Sequence, residues 1–154
     1  MAKKIYNNDF YCSTALLLVL LHRNQWKLSE ISLILPLVTQ KRIVDTMNRK
    51  RKDFSLFDLI IDKPQNFYNF NLLFDSFRNT TLNSLFFLIY SGVITFDNNT
   101  ILVVKNSIDN DQIKRLIKGN KKLIAIERNS NKVAELIKDK SDLAELYTML
   151  GVSL

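Results

Sequence analysis

Side chains able to do chemistry are scarce in this chain, and their spacing limits what they can share. Histidine occurs once, as His22, and cysteine once, as Cys12. A general base needs an orienting partner and a nucleophile within reach. His22 closes the apolar run 15–21 and has no evident partner in the sequence. Cys12 precedes an apolar helix face, where cysteine serves as a small core residue more readily than as a nucleophile. Together the two cannot supply the ligand cluster of a zinc site. The glycines, Gly92, Gly119 and Gly151, stand far apart, and neither glycine-rich phosphate-binding pattern occurs. The carboxylates Asp58 and Asp62, and Glu127 and Glu135, fall on polar faces or beside lysines and read as solvated surface charge. The residues therefore predict no catalytic, cofactor-binding or metal site. An enzyme built on His22 or Cys12 is the least supported function class.

What must position anything on this chain is a core of its own. The 154 residues suit one domain, and 47% hydrophobic with 24% charged residues is ordinary globular composition. Ten Phe and five Tyr can fill that core without disulfide or metal support. A lone cysteine cannot form an internal disulfide, so a reducing, cytoplasmic setting is expected. Lys3-Lys4 before an apolar stretch resembles a signal peptide. However, Asn7-Asn8-Asp9 interrupts it, and it ends in His22-Arg23-Asn24 without a small-residue cleavage site. The run 15–21 also falls far short of the roughly 20 residues that cross a bilayer. No membrane is expected. A net charge of +7 and a pI near 9.5 permit attraction to an acidic partner.

Along the chain, Asp9 can cap a helix that is apolar on nearly every side through Leu21, which predicts a central, buried helix. Ser29 and Glu30 open a second segment that Pro36 breaks or restarts. Thr39 can cap a helix over about 40–48, and Ser55 a shorter one through Ile61. Phe67, Phe70, Leu73, Phe74 and Phe77 form a one-sided helical stripe. Thr80 or Thr81 can cap a further helix, in which Leu82, Leu85, Phe86 and Ile89 make one apolar face. That helix stops at Ser91-Gly92 and feeds a hairpin with strands at 93–96 and 100–104. Both hairpin faces are apolar, predicting cover on each side. Asp109 begins a polar helix that Gly119-Asn120 ends. Residues 121–126 read equally as strand or helix, and helical segments follow over about 130–138 and 141–150.

The expected fold is α+β, mainly α: a single domain over 1–154 with a winged-helix-like β-hairpin. Its helical core spans about 9–91, the hairpin about 93–104 and a C-terminal helical part about 109–150. Winged helices often read DNA, and a reading helix must expose basic and polar groups to the major groove. Here the helix before the hairpin has no Lys or Arg, and the wing turn carries Asp97. Base reading through it is not expected. Basic residues cluster elsewhere: Lys41, Arg42, Arg49, Lys50, Arg51 and Lys52 in one stretch, and Lys114, Arg115, Lys118, Lys121 and Lys122 in another. The first is the candidate for contact with a nucleic-acid backbone. Either can track a phosphate backbone, meet an acidic protein patch or be solvated surface.

Several pieces in order resemble a known family: Ile5-Tyr6-Asn7-Asn8 before an apolar helix, Leu33-Ile34-Leu35-Pro36-Leu37, and Leu73-Phe74 with Phe77 and Thr81. An apolar helix ending Ser91-Gly92-Val93-Ile94 follows, and the close runs from Asp142-Leu143-Ala144-Glu145-Leu146 to Gly151-Val152. The chain is similar to the middle component of three-component ABC (ABC-3C) systems. It departs from the pattern at Ser153-Leu154, where Arg-Pro is expected. The resemblance implies a non-catalytic adaptor in a Lamassu-like anti-phage or anti-plasmid defence complex. Its partners would be an SMC/Rad50-like ABC ATPase and an effector subunit, often a nuclease, without cofactor. The surfaces expected to bind those partners are the hairpin with its helix (Phe87, Tyr90, Val93, Thr95) and the C-terminal helix (Tyr147, Leu150, Val152). The alternative is a stand-alone winged-helix DNA-binding regulator.

Overall fold

The computed structural model describes residues 2–49, 54–137 and 143–152. Helix α1, Ala2–Leu20, is the axis of the molecule. It starts well before Asp9, because no glycine or proline interrupts residues 2–20. From Cys12 to Leu20 every side chain is buried, as a helix apolar all round requires. Strand β1, Gln25–Lys27, follows, then two short helices, α2 (Leu28–Ile31) and α3 (Ile34–Val38). Pro36 sits in the first turn of α3, where its missing N–H costs nothing. Thr39 closes α3 by donating its hydroxyl to the Leu35 carbonyl. Helix α4 is Lys41–Arg49 and α5 is Leu56–Asp62, the latter with Ser55 and Asp58 forming a reciprocal cap.

After a 3-10 turn at Pro64–Phe67, α6 runs unbroken from Phe70 to Tyr90. The expected break at Thr80-Thr81 does not occur. Two threonines lower helix propensity only slightly, and Thr81 is buried as part of the inward face. That face is the aromatic stripe continued: Phe70, Phe74, Thr81, Ser84, Leu85 and Leu88. Gly92, at φ 76°, lets the chain leave the helix, with Val93 N–H returning to the Leu88 carbonyl and Gly92 N–H to Ile89.

Strands β2 (Ile94–Asp97) and β3 (Thr100–Val103) form the hairpin. Asn98 and Asn99 both take positive φ, the geometry of a two-residue turn matched to strand twist. β1 pairs antiparallel with the free edge of β3, giving a three-stranded sheet in the order β1-β3-β2, with Trp26 opposite Ile101. Trp26, Ile94 and Ile101 are buried, whereas Thr95 and Phe96 lie open. The expected two-sided cover is thus incomplete at the hairpin's outer end.

Helix α7, Asn110–Ile117, starts from a reciprocal Asp109–Gln112 cap. Helix α8, Lys121–Leu136, resolves residues 121–126 as helix and contains Ser130 as a buried interior residue. Helix α9, Leu143–Met149, ends at Gly151. The protein is mainly helical with a small antiparallel sheet, and one hydrophobic cluster joins Cys12 through Val152. α6 and α8 each pack along α1 with no substantial contact between themselves, so they flank it; α4 and α7 pack on α8. Among the described residues no helix is long and apolar enough to cross a membrane.

Candidate interaction surfaces

The residues capable of reaction are engaged in structure. His22 Nε2 lies 2.6 Å from Ser130 Oγ, whose own proton goes to the Glu127 carbonyl 2.7 Å away. The serine oxygen can therefore only accept, which places the proton on His22 Nε2. Burial lowers the imidazole pKa, and the Glu127 carboxylate opposes that shift. The pair ties the end of α1 to α8. Burial, with a smaller push from Asp9, raises the Cys12 thiol to about 11, which leaves almost no thiolate near neutrality. Asp58 serves the α5 cap, and Glu127 and Glu135 are exposed along α8. Among the described residues no three His, Cys, Asp or Glu side chains converge as a metal site would require.

A polar network that local sequence gave no reason to expect lies behind β1. The Arg23 guanidinium stacks 3.6 Å over the Trp26 ring and pairs with Glu30 at 2.9 Å. Glu30 is buried and also accepts from the Lys27 N–H at 2.8 Å, capping α2. Trp26 Nε1 donates to the Leu20 carbonyl, and the Tyr147 hydroxyl donates to the Ser29 carbonyl. Burial and then Glu30 hold the Tyr147 phenol well above its ordinary range. Tyr147 also meets Phe74 edge-on, with ring centroids 5.9 Å apart.

That network decides the fate of the residues expected at the surface. Tyr147, Leu150 and Val152 are buried: α9 lays its apolar side on its own chain and does not present it outward. The terminal Gly151-Val152 turn closes the helix, with Val152 N–H bonded to the Tyr147 carbonyl. Val93 is buried too, beneath the hairpin. Phe87, Tyr90 and Thr95 do face outward. Lys41, Arg42 and Arg49 are exposed on α4; Lys50, Arg51 and Lys52 lie outside the described residues.

Leu82 and Phe86 project outward, contrary to the apolar face on which they were expected. They are 50% and 59% exposed, joined by Phe87 at 56% and Tyr90 at 91%. Leu82, Phe86 and Tyr90 lie at i, i+4 and i+8, a stripe along the outer side of α6. Phe87 turns the corner into a shallow groove shared with Phe10, Leu17, Ile108 and Leu116. From Asn79 to Phe96 the sequence has no charged residue. An aromatic, uncharged, solvent-facing surface is the composition of an interface core. Continuing the Phe70–Phe74–Phe77 period past Thr81 selects Ser84, Leu85 and Leu88 as inward and leaves Leu82 and Phe86 outside, so the signal was present.

The fold and these surfaces define a small, mainly helical protein with an exposed aromatic face on α6. The sequence profile of the family described as ABC-three component (ABC-3C) system Middle Component 3 matches residues 7–154. The chain belongs to that family, and is thereby a middle component of a multi-component system. No curated protein and no solved structure matches it.

Proposed function

We propose that this chain, as a single domain, is a non-catalytic cytoplasmic adaptor that joins an SMC-like ABC ATPase to an effector, a nuclease in our reading. The assembly would act in Lamassu-like defence against phage or plasmids. The observation that carries the reading is the uncharged aromatic face of α6. Fully burying one such side chain is worth roughly 1.5–3 kcal/mol, so Leu82, Phe86, Phe87 and Tyr90 together can anchor a stable protein contact. Thr95, exposed on strand β2, is a further candidate contact. The same face argues against a stand-alone regulator, because it offers phenyl rings where a major-groove helix offers polar and basic groups.

The test is to co-express the tagged full chain with the ABC-type ATPase and effector encoded beside it and weigh the product by native mass spectrometry. One assembly containing all three subunits is expected. Phe86→Ser with Phe87→Ser and Tyr90→Ser should release at least one partner while the circular dichroism spectrum of the chain is unchanged. Recovery of only a free monomer or homodimer would overturn the adaptor role.

A further inference from the structure

The described parts of the two basic stretches, some seventy residues apart, lie on helices that pack on a common neighbour, α8. α4 packs against α8, and α7, which directly precedes α8 in the chain, packs against it too. Their outward residues are Lys41, Arg42 and Arg49 on α4, Lys114 and Arg115 on α7, and Lys121, Lys122, Arg128 and Lys132 on α8, with Lys118 just after α7. The carboxylates on these helices, Asp45, Asp111, Glu127 and Glu135, offset only part of that charge. We propose that α4, α7 and α8 form one continuous face that binds the phosphate backbone of a nucleic-acid duplex, without reading its sequence.

Two observations select that ligand. Every large hydrophobic side chain found exposed among the described residues lies elsewhere, on or near α1, α5, α6, α9 and the sheet; none lies on α4, α7 or α8. A protein contact is most often centred on buried Trp and Tyr side chains, with Arg beside them. A single strand would need aromatic platforms on which bases stack. The face offers neither, but it offers cations on solvent-facing helices, which is what sequence-independent backbone contact requires. Its cations are on helices other than α6, which carries the aromatic stripe, so the two surfaces can be varied separately.

Fluorescence anisotropy tests this with the full chain and labelled mixed-sequence duplexes, one DNA and one RNA, over a salt series. Lys41→Glu with Arg42→Glu, and Lys121→Glu with Lys122→Glu, place acids in helix first turns, which the helix dipole favours, so folding is preserved. Each pair should reduce the slope of log K against log salt by about two and weaken binding on the order of 10- to 100-fold near 0.1 M salt. Arg78→Glu with Lys105→Glu, carrying the same charge change off α4, α7 and α8, should have a much smaller effect. Binding of either duplex supports the proposal, and their relative affinity identifies the source of the backbone. No duplex binding at low salt, an equal loss in the control pair, or tighter binding to single strands would overturn it.

Discussion

Tyr147 carries a hydroxyl into a site where water cannot serve it, and the Ser29 carbonyl takes the bond instead. Removing only the oxygen, in Tyr147→Phe, should cost about 1–2 kcal/mol by leaving that carbonyl short of a partner. Tyr147→Ala, which also loses the ring against Phe74, should cost about 3–5 kcal/mol. Urea midpoints of the two variants measure both, and equal midpoints for Phe and wild type would show that the bond contributes nothing. His22 gives a pH signature. Its folded pKa lies below the ordinary 6.5, so the unfolded chain takes up a proton first as pH falls. The stability tied to its neutral form is complete above about pH 6.5 and lost as pH drops toward the folded value. His22→Gln should flatten that part of the stability profile, with unfolding midpoints compared on either side of about pH 6.5. A wild-type slope retained in the variant would assign it to other groups.

Elements were legible in the sequence where their signals are local. Ser55 with Asp58 and Asp109 with Gln112 mark helix starts because the capping bonds close within four residues. The Asp97-Asn98-Asn99 turn was equally plain, since asparagine tolerates left-handed backbone. Asn99, at φ 61°, makes the point testable. Asn99→Val should cost about 1–2 kcal/mol through the left-handed penalty, while Asn99→Gly should leave the melting temperature unchanged or slightly raised. Equal melting temperatures for Val and Gly would contradict the turn geometry. Strand β1 was not legible, because three residues become a strand only by pairing with β3 some seventy-five residues later. The apparent boundaries at Thr80-Thr81 and Ser130 failed for a related reason. Cap-forming residues sit inside long helices when packing supplies the stability, and Thr81 and Ser130 are both buried. Of the candidate surface residues, Phe87 and Tyr90 are exposed, but composition could not tell that α9 folds back onto α2 and α6. That contact depends on Tyr147 finding Ser29 across 118 positions.

At the scale of the molecule, α1 works as a wall. Its side chains from Cys12 to Leu20 are buried, α3, α6 and α8 pack along it, and α6 and α8 make no substantial contact with one another. One presents an aromatic, uncharged face, the other a basic face without exposed apolar anchors. The side chains substituted on the two faces belong to different helices, and variants more than about 10 Å apart without shared partners usually act additively. The Phe86→Ser, Phe87→Ser, Tyr90→Ser chain should therefore lose its protein partner and keep wild-type duplex affinity. The Lys121→Glu, Lys122→Glu chain should keep the partner and lose the duplex. Combining the sets should give the sum of the two free-energy changes, read from pull-down and anisotropy titrations on the same preparations. A combined chain that departs from the sum by much more than about 0.5 kcal/mol would mean that α1 transmits one contact to the other. The middle component would then be a switch between its two faces instead of a rigid bridge.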